Sequence, residues 1–185
     1  MITNTFIEGL FVYEPKVFGD QRGYFFEGFN KKRFQEESGL TIEFVQDNQS
    51  KSSFGVLRGL HFQTKKAAQS KLVRVLSGTV LDVVVDIRKN SATFGKSFSI
   101  ILSEENKKQL FIPRGLAHGF VVLSPTAEFF YKCDNYYSPQ DESGIFYADS
   151  ALKIDWQIAE NQLIISEKDQ KLDTLENMKD FFVFE

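Results

Sequence analysis

The chain has 185 residues, a formal charge of −3 and a sequence pI near 5.5, a balance that argues against nucleic acid or an anionic membrane as main partner but allows a local basic pocket. Its length suits one domain, residues 1–185, with a sizeable core, and no apolar run approaches the ~20 residues needed to span a bilayer. The single Cys133 allows no internal disulfide, and the opening MITNTFIEGL lacks the basic start and long apolar run of a secretory signal, so a reducing cytoplasm is expected.

Twenty Phe against four Pro favour strands and a filled interior over a helical bundle. Phe6, Ile7, Leu10, Val12 and Val17 predict one or two short strands between Thr5 and Val17. An N-terminal arm of this kind pairs with a sheet edge of its own or of a partner subunit, which points to a homodimer. Asp20 to Glu27 reads as a turn running into an aromatic strand; from the residues alone, its charged members Arg22 and Glu27 make a surface ion pair. Asn30 to Gly39, NKKRFQEESG, has an Asn N-cap, mixed charges and a terminal Gly, and is the one clear short helix, a solvated cover.

Gln46 to Gln63, QDNQSKSSFGVLRGLHFQ, packs amides, a cation and an imidazole into barely two strand lengths. Ser, Lys and Gly at 50–55 predict a turn between two extended arms. On a regular strand Arg58 and His61 would face opposite sides; a bulge at Gly59 shifts the phase and brings both into one cavity. The alternative is a solvated Arg on an edge strand and a His satisfied by a backbone partner.

Thr64 to Ser70 is loop-like, and Lys71 to Leu76 restarts the alternation with Lys71 on the face of Val73 and Val75. After a Ser77-Gly78 turn, TVLDVVVDIR (79–88) is the cleanest strand: Leu81, Val83, Val85 and Ile87 on one face, Asp82, Val84, Asp86 and Arg88 on the other. One face must pack. If the other also turns inward, Asp82 pairs with Lys71; otherwise Asp82 and Asp86 face solvent. Further strands are expected over Lys96 to Leu102 and Gln109 to Pro113, and His118 sits where a strand begins after a tight turn at Pro113 and Gly115. Ala127 to Asp134 is extended, with Phe129 and Tyr131 on one face. A buried Tyr131 needs a partner for its hydroxyl, which a bound ligand can supply. Tyr136 to Pro139 turns towards Glu142, the remainder wraps the body in short irregular elements, and DTLENMKDFFVFE is at most partly helical. Short strands at roughly ten-residue spacing indicate an all-β antiparallel jelly roll.

The two histidines, His61 and His118, lie far apart without a His-x-His pair or a Glu at ligand spacing, so no metal is expected. No Gly-x-Ser-x-Gly elbow and no glycine-rich phosphate loop is present, and nothing marks Cys133 as a nucleophile. What remains is proton chemistry by His, Tyr, Lys and Asp.

A set of ordered segments then matches a known family. They are Asp20-x-Arg22-Gly23-x-Phe25-x-Glu27, Gln46-Asp47-Asn48 with Ser50, Gly55 to Gln63, Lys71-Leu72-Val73-Arg74-Val75, Asp82-Val83-x-Val85-Asp86-x-Arg88, Ile112-Pro113-x-Gly115-x-Ala117-His118-Gly119-Phe120, Tyr131-Lys132, Tyr137-x-Pro139-x-x-Glu142 and Lys168-Asp169. Over nearly its whole length the chain resembles the dTDP-4-dehydrorhamnose 3,5-epimerases, cupin-fold enzymes of the dTDP-L-rhamnose pathway. The resemblance implies a cupin-type jelly roll, or double-stranded β-helix, with a few short peripheral helices, and an isomerase without a cofactor. Its substrate would be dTDP-4-dehydro-6-deoxy-D-glucose and its product dTDP-4-dehydro-L-rhamnose. By the same resemblance His61 is the general base, with Asp169 holding its imidazole. Tyr131 is the acid on the opposite face of the sugar, and Lys71, steadied by Asp82, stabilises the enolate oxygen. Arg22, Phe25, Glu27, Gln46, Asp47, Asn48, Arg58, His118, Glu142 and Lys168 are implied as substrate contacts, several of them around the diphosphate, and Tyr137 stacks on thymine. Some of these come from a neighbouring subunit by strand exchange.

Ala67-Ala68-Gln69 and Lys171-Leu172-Asp173 depart from the family at loop positions where Pro is common, which bears on loop shape and substrate detail. The alternatives are an epimerase inverting one centre or acting on another nucleotide sugar, a sugar-nucleotide-binding cupin without turnover, and a metal-dependent cupin oxygenase.

Overall fold

The computed structural model describes residues 1–179 and 182–183. Its strands are β1 (Ile2–Asn4), β2 (Phe11–Tyr13), β3 (Phe18–Asp20), β4 (Gly23–Phe25), β5 (Gln46–Ser53), β6 (Val56–Gln63), β7 (Lys71–Ser77), β8 (Thr79–Asp86), β9 (Arg88–Lys89), β10 (Ser97–Ser103), β11 (Gln109–Ile112), β12 (Leu116–Val122), β13 (Thr126–Cys133), β14 (Glu142–Gly144), β15 (Ile164–Ile165) and β16 (Phe182–Val183). One α-helix, α1 (Lys31–Ser38), and four short 3₁₀ turns complete the described elements. Two six-stranded sheets face each other, one ordered β1-β2-β11-β7-β13-β5, the other β10-β8-β12-β6-β14 with β15 added in parallel beside β6. This is the expected cupin-type jelly roll.

Three apolar clusters explain the layering. Between the sheets lie Val73 and Val75 of β7, Val80 and Val84 of β8, Phe120 of β12 and Phe129 of β13, among others. The outer face of the second sheet presents Leu57, Leu81, Val83, Val85 and Val121, and the C-terminal segment covers it with Leu152, Trp156, Leu175 and Met178. On the outer face of the first sheet, Phe11, Leu72 and Phe111 pack under Phe34 of α1. β8 is therefore buried on both faces, which its near-continuous apolar run allows. Neither Asp82 nor Asp86 reaches solvent; Asp86 is instead satisfied by Arg88, Ser91 and Thr93.

The helix forms where its caps predict. The Asn30 side chain accepts the Arg33 N–H, and Gly39 closes the C-terminus in the left-handed region at φ 71°. The turn expected over 50–55 is shorter than its residues suggest. Ser50 and Lys51 are inside β5, held by an unbroken register against β13 from Thr126↔Ser53 to Cys133↔Gln46. Only Phe54-Gly55 turns, and the chain crosses from one sheet to the other there, so the two arms are not paired with each other. Gly55 is required: its φ is 78°, and a Cβ would fall 2.1 Å from the Gln162 carbonyl oxygen.

The N-terminal β1 pairs with β2 of its own chain. β3 and β4 form a separate hairpin outside both sheets, with Phe18, Tyr24 and Phe25 exposed by 52%, 61% and 66%. The expected partial helix over 173–185 is one turn near Thr174 followed by β16 beside β9; Asp180, Phe181, Phe184 and Glu185 lie outside the described residues. Among the described residues no helix is long and apolar enough to cross a membrane.

Candidate active site

The site forms where β6 meets β12. Their register runs His61↔His118 and then Arg58↔Phe120, so β6 carries one residue more than its partner between these pairs. That irregularity is the bulge expected at Gly59, and it puts Arg58 and His61 on one cavity wall. Gly59 has φ 117°, and a Cβ there would sit 2.6 Å from the Gly119 Cα and the His118 carbonyl oxygen. Any side chain at position 59 would push the two strands apart.

The cavity has a volume of about 620 Å³. Its walls include Arg58, His61 and His118 from the second sheet, Asn48, Lys71 and Tyr131 from the first, and Ser166, Lys168 and Asp169 from the C-terminal segment. A second lobe of about 330 Å³ shares Asn48, His61, Lys71 and Tyr131 and adds Gln46, Gln63, Gln69, Tyr137 and Glu142.

His61 Nε2 lies 2.7 Å from Asp169 Oδ1. Asp169 is almost fully buried at 3% exposure, and its other oxygen accepts the Gly59 N–H at 3.3 Å. Burial alone would raise this carboxyl, but the His61 and Gly59 hydrogen bonds outweigh it and hold Asp169 below the usual range. An ionised Asp169 assigns the hydrogen to Nε2 and leaves Nδ1 as the basic nitrogen.

Tyr131 stands on the facing sheet. Burial, reinforced by Cys133, pushes its phenol up to about 12 against a lowering influence from Arg58, so it remains a proton donor through neutral pH. Lys71 is the nearby cation, its Nζ 5.7 Å from the centre of the Tyr131 ring. Burial lowers its pKa while Cys133, Glu142 and Asp82 pull it back up. Among the described residues its ammonium makes no ion pair or hydrogen bond, which leaves it available to a developing negative charge.

Asp82 does not contact Lys71 directly, contrary to the pairing expected from sequence. Its Oδ2 is 2.9 Å from His118 Nε2. Phe120 lies opposite Asp82, and His118 opposite Val84, so His118 is the diagonal neighbour on the same inner face, and its ring reaches the carboxyl first. Burial raises the Asp82 carboxyl, and His118 and Lys71 lower it only in part.

At the rim, Tyr137 donates its hydroxyl to Glu142 at 2.7 Å, and Lys168 pairs with the same carboxylate oxygen. Gln46 Oε1 accepts the Tyr137 N–H at 3.1 Å, while Gln63 Oε1 accepts the Ser138 N–H at 2.8 Å. Arg58 Nε donates to Ser52 Oγ at 3.1 Å.

The fold thus gathers His61, Lys71, Tyr131, Asp169, Asn48, Arg58, His118 and Lys168 in the main cavity, and Gln46, Tyr137 and Glu142 in its second lobe. It does not bring four other expected residues to the cavity of their own chain. Arg22 is paired with Asp20 and Phe25 is exposed on the hairpin, while Glu27 binds Arg33 and Asn30. Asp47 is exposed and bound to Lys132 at 2.9 Å. Lining residues not assigned to the site from sequence include Gln49, Gln63, Gln69, Phe120, Phe129, Ile164–Ile165 and Ser166. Alternation already sets Phe129 on the face of Tyr131, as found, whereas the parallel pairing of β15 with β6 leaves no local signal for Ile164–Ile165. Among the described residues no three His, Cys, Asp or Glu side chains stand together as a metal cluster.

Residues 4–177 match the family model described as dTDP-4-dehydrorhamnose 3,5-epimerase. The dTDP-4-dehydrorhamnose 3,5-epimerase of Shigella flexneri is 55% identical over 168 residues, covering 91% of this chain and 92% of the relative. That of Escherichia coli K12 is 51% identical over 177 residues, covering 96% of this chain and 95% of the relative. A solved structure of the Legionella pneumophila dTDP-6-deoxy-D-glucose-3,5-epimerase, in complex with dTDP-4-keto-L-rhamnose, superposes with a TM-score of 0.96 at 49% identity, covering 100% of this chain and 98% of that one. With an Asp-held imidazole and a half-buried phenol on facing sheets of a jelly roll, and with relatives covering 91–100% of its length, the chain belongs to the dTDP-4-dehydrorhamnose 3,5-epimerase family of isomerases.

Proposed function

We propose that this chain inverts C3 and C5 of dTDP-4-dehydro-6-deoxy-D-glucose to give dTDP-4-dehydro-L-rhamnose, by proton removal on one face of the sugar and proton return on the other. One observation carries the reading: His61 and Tyr131 project into the same cavity from opposing sheets, with Lys71 beside the phenol. Inversion beside a ketone needs this division of labour, because a proton returned to the face it left changes nothing.

In each half-reaction His61 Nδ1 takes the proton from the carbon next to C4, and the C–H electron pair moves into an enolate whose charge rests on O4. Lys71 stabilises that oxygen, an effect worth about 3–4 kcal/mol for one well-aimed oxyanion donor. Tyr131 then protonates the carbon from the far side. His61 is left protonated and Tyr131 ionised, so both must exchange protons with water before the second carbon reacts. The C4 ketone provides the acidity, and the proposal calls for no cofactor. Arg58, His118 and Lys168 supply cationic and hydrogen-bonding groups for the diphosphate, and Tyr137 offers a ring face for thymine. Residues 1–185 act as one catalytic unit. It sits in the cytoplasm, consistent with the one free, buried Cys133.

The placement of Arg22, Phe25 and Glu27 away from their own cavity supports a homodimer in which the β3–β4 hairpin and the residues after it serve the partner's cavity. Exposed aromatic rings on a two-stranded hairpin outside both sheets need such a cover.

Turnover in heavy water tests the chemistry: deuterium is expected at both C3 and C5 of the product. Label confined to one carbon would instead identify a single-centre epimerase, and a His61→Ala variant exchanging at the wild-type rate would remove the base mechanism. Mixed dimers test the sharing. A His61→Asn chain combined with an Arg22→Ala chain should regain one intact site, whereas hairpins that serve their own cavities would restore nothing.

A further inference from the structure

We infer that Arg74 is a positioning residue that fixes the direction in which the β3–β4 hairpin leaves the body, and so governs substrate binding in the partner's cavity. The inference rests on the shared-site dimer proposed above.

Strand β7 alternates. Lys71, Val73 and Val75 turn inward, the first to the cavity and the others to the core, while Leu72 and Arg74 face outward. Leu72 is covered by α1 through Phe34. Arg74 lies beyond that cover, half-buried, and among the described residues no carboxylate stands within ion-pair distance of it. A guanidinium removed from water without a counter-charge needs another stabilising contact. Arg74 has two: its Cζ lies 5.5 Å from the centre of the Phe26 ring and 5.4 Å from that of Phe130. Phe130 belongs to the sheet, and Phe26 directly follows the hairpin, so the cation bridges the two.

The next residues are fastened at the same place. The Gly28 carbonyl accepts a hydrogen bond from Gln109 Nε2 at 2.7 Å, and Gln109 is 1% exposed. A Cβ on Gly28 would fall 3.0 Å from Arg74 Nη1, so the backbone lies directly against the guanidinium. Higher on the hairpin, Tyr24 packs with Phe26 at 6.0 Å and under Lys107 Nζ at 3.8 Å. Side chains alternate along this segment, so Tyr24 and Phe26, held by Lys107 and Arg74, lie on one side of it and Phe25 on the other. The anchor therefore sets where Phe25 and the neighbouring Arg22 are presented, without touching the cavity of its own chain.

Replacing Arg74 by Met should raise the KM for the dTDP-4-keto sugar about tenfold, the effect of loosening two cation–π contacts, while kcat stays within about twofold. Arg74→Lys should recover part of the KM. Phe26→Leu, which disturbs the same contact from the other side, should reproduce the KM change if Arg74→Met folds poorly. A merely structural role would lower the active fraction and leave KM alone.

Tag-purified mixed dimers then show where the effect travels. An Arg74→Met chain paired with a His61→Asn chain has one working cavity, its own, served by the partner's unaltered hairpin; wild-type KM is expected. Placing both substitutions on one chain beside a wild-type partner leaves a working cavity served by the altered hairpin, and the raised KM should persist. A raised KM in the first arrangement, or no change in KM for any of these variants, would overturn the role of Arg74 while leaving the shared site intact. Failure of the His61→Asn and Arg22→Ala mixture to regain activity would overturn the shared site and this inference together.

Discussion

Two carboxylate–imidazole pairs stand side by side in this protein, and they are poised in opposite ways. His61 and His118 are direct cross-strand neighbours on β6 and β12, with Asp169 and Asp82 bound at 2.7 and 2.9 Å. Asp169 has a second donor, the Gly59 N–H, and its hydrogen bonds hold the carboxyl below the usual range. Asp82 is fully enclosed, among the described residues its Oδ1 has no partner, and burial raises it. Similar distances therefore do not make similar pairs. The hydrogen bonds reaching each carboxylate decide how far burial is offset, and the carboxylate whose ionised form is favoured is the better one to fix the tautomer of its histidine and support the positive charge that a base acquires.

That contrast is sharpest in turnover. Asp169→Asn should lower kcat for epimerisation about 10²- to 10⁴-fold, the usual worth of a general base, and should lower deuterium wash-in in parallel, because proton removal itself is impaired. Asp82→Asn should cost much less in the same assay. Comparable losses from the two variants would show that both pairs handle protons, and the distinction drawn from their donors would fail.

The next largest effects fall on the opposite wall. Lys71→Met removes the cation beside the phenol and should reduce kcat about 10²- to 10³-fold in the same assay. Tyr131→Phe should separate the two halves of each inversion: epimerisation falls about 10²-fold, while proton removal at the carbon next to the ketone continues. Monitoring substrate deuteration beside product formation checks this, and equal loss of both would count against the phenol as the acid.

Much of this arrangement was legible in the residues. The caps of α1, the alternation of β13 and the need for a bulge at Gly59 are local properties, and local physics placed them correctly. Asp47 and Asn48 could also have been separated by strand alternation, since adjacent side chains must face opposite ways; Asn48 lines the cavity and Asp47 binds Lys132 outside it. Non-local facts were not legible. The partner of Asp82 depends on the register of β8 against β12. Burial of β8 on both faces depends on a C-terminal segment with no strong period of its own. The crossing at Phe54-Gly55 looks like any hairpin turn until β5 is seen paired with β13. In each case two stretches distant in the chain decide the outcome.

The smallest effect expected is on stability, and it runs in opposite directions for the two carboxylates. Asp169, lowered in the folded state, contributes stability that is present above its unfolded pKa and is lost as pH falls through the folded value. Asp82, raised in the folded state, contributes stability that is present below its unfolded pKa and is lost as pH rises through the folded value. Asp169→Asn should therefore destabilise the fold at pH 7 and matter progressively less in acid. Asp82→Asn keeps an oxygen to accept from His118 and removes an unfavourably buried charge, so it should be neutral or stabilising at pH 8, with that benefit fading towards pH 4. Urea unfolding midpoints of the two variants against the parent across this range would check the signs. If Asp82→Asn were the more damaging at pH 8, its carboxylate would have to be ionised and well paired in the folded protein, with Lys71 or water completing the partners of Oδ1, and the two dyads would be alike after all.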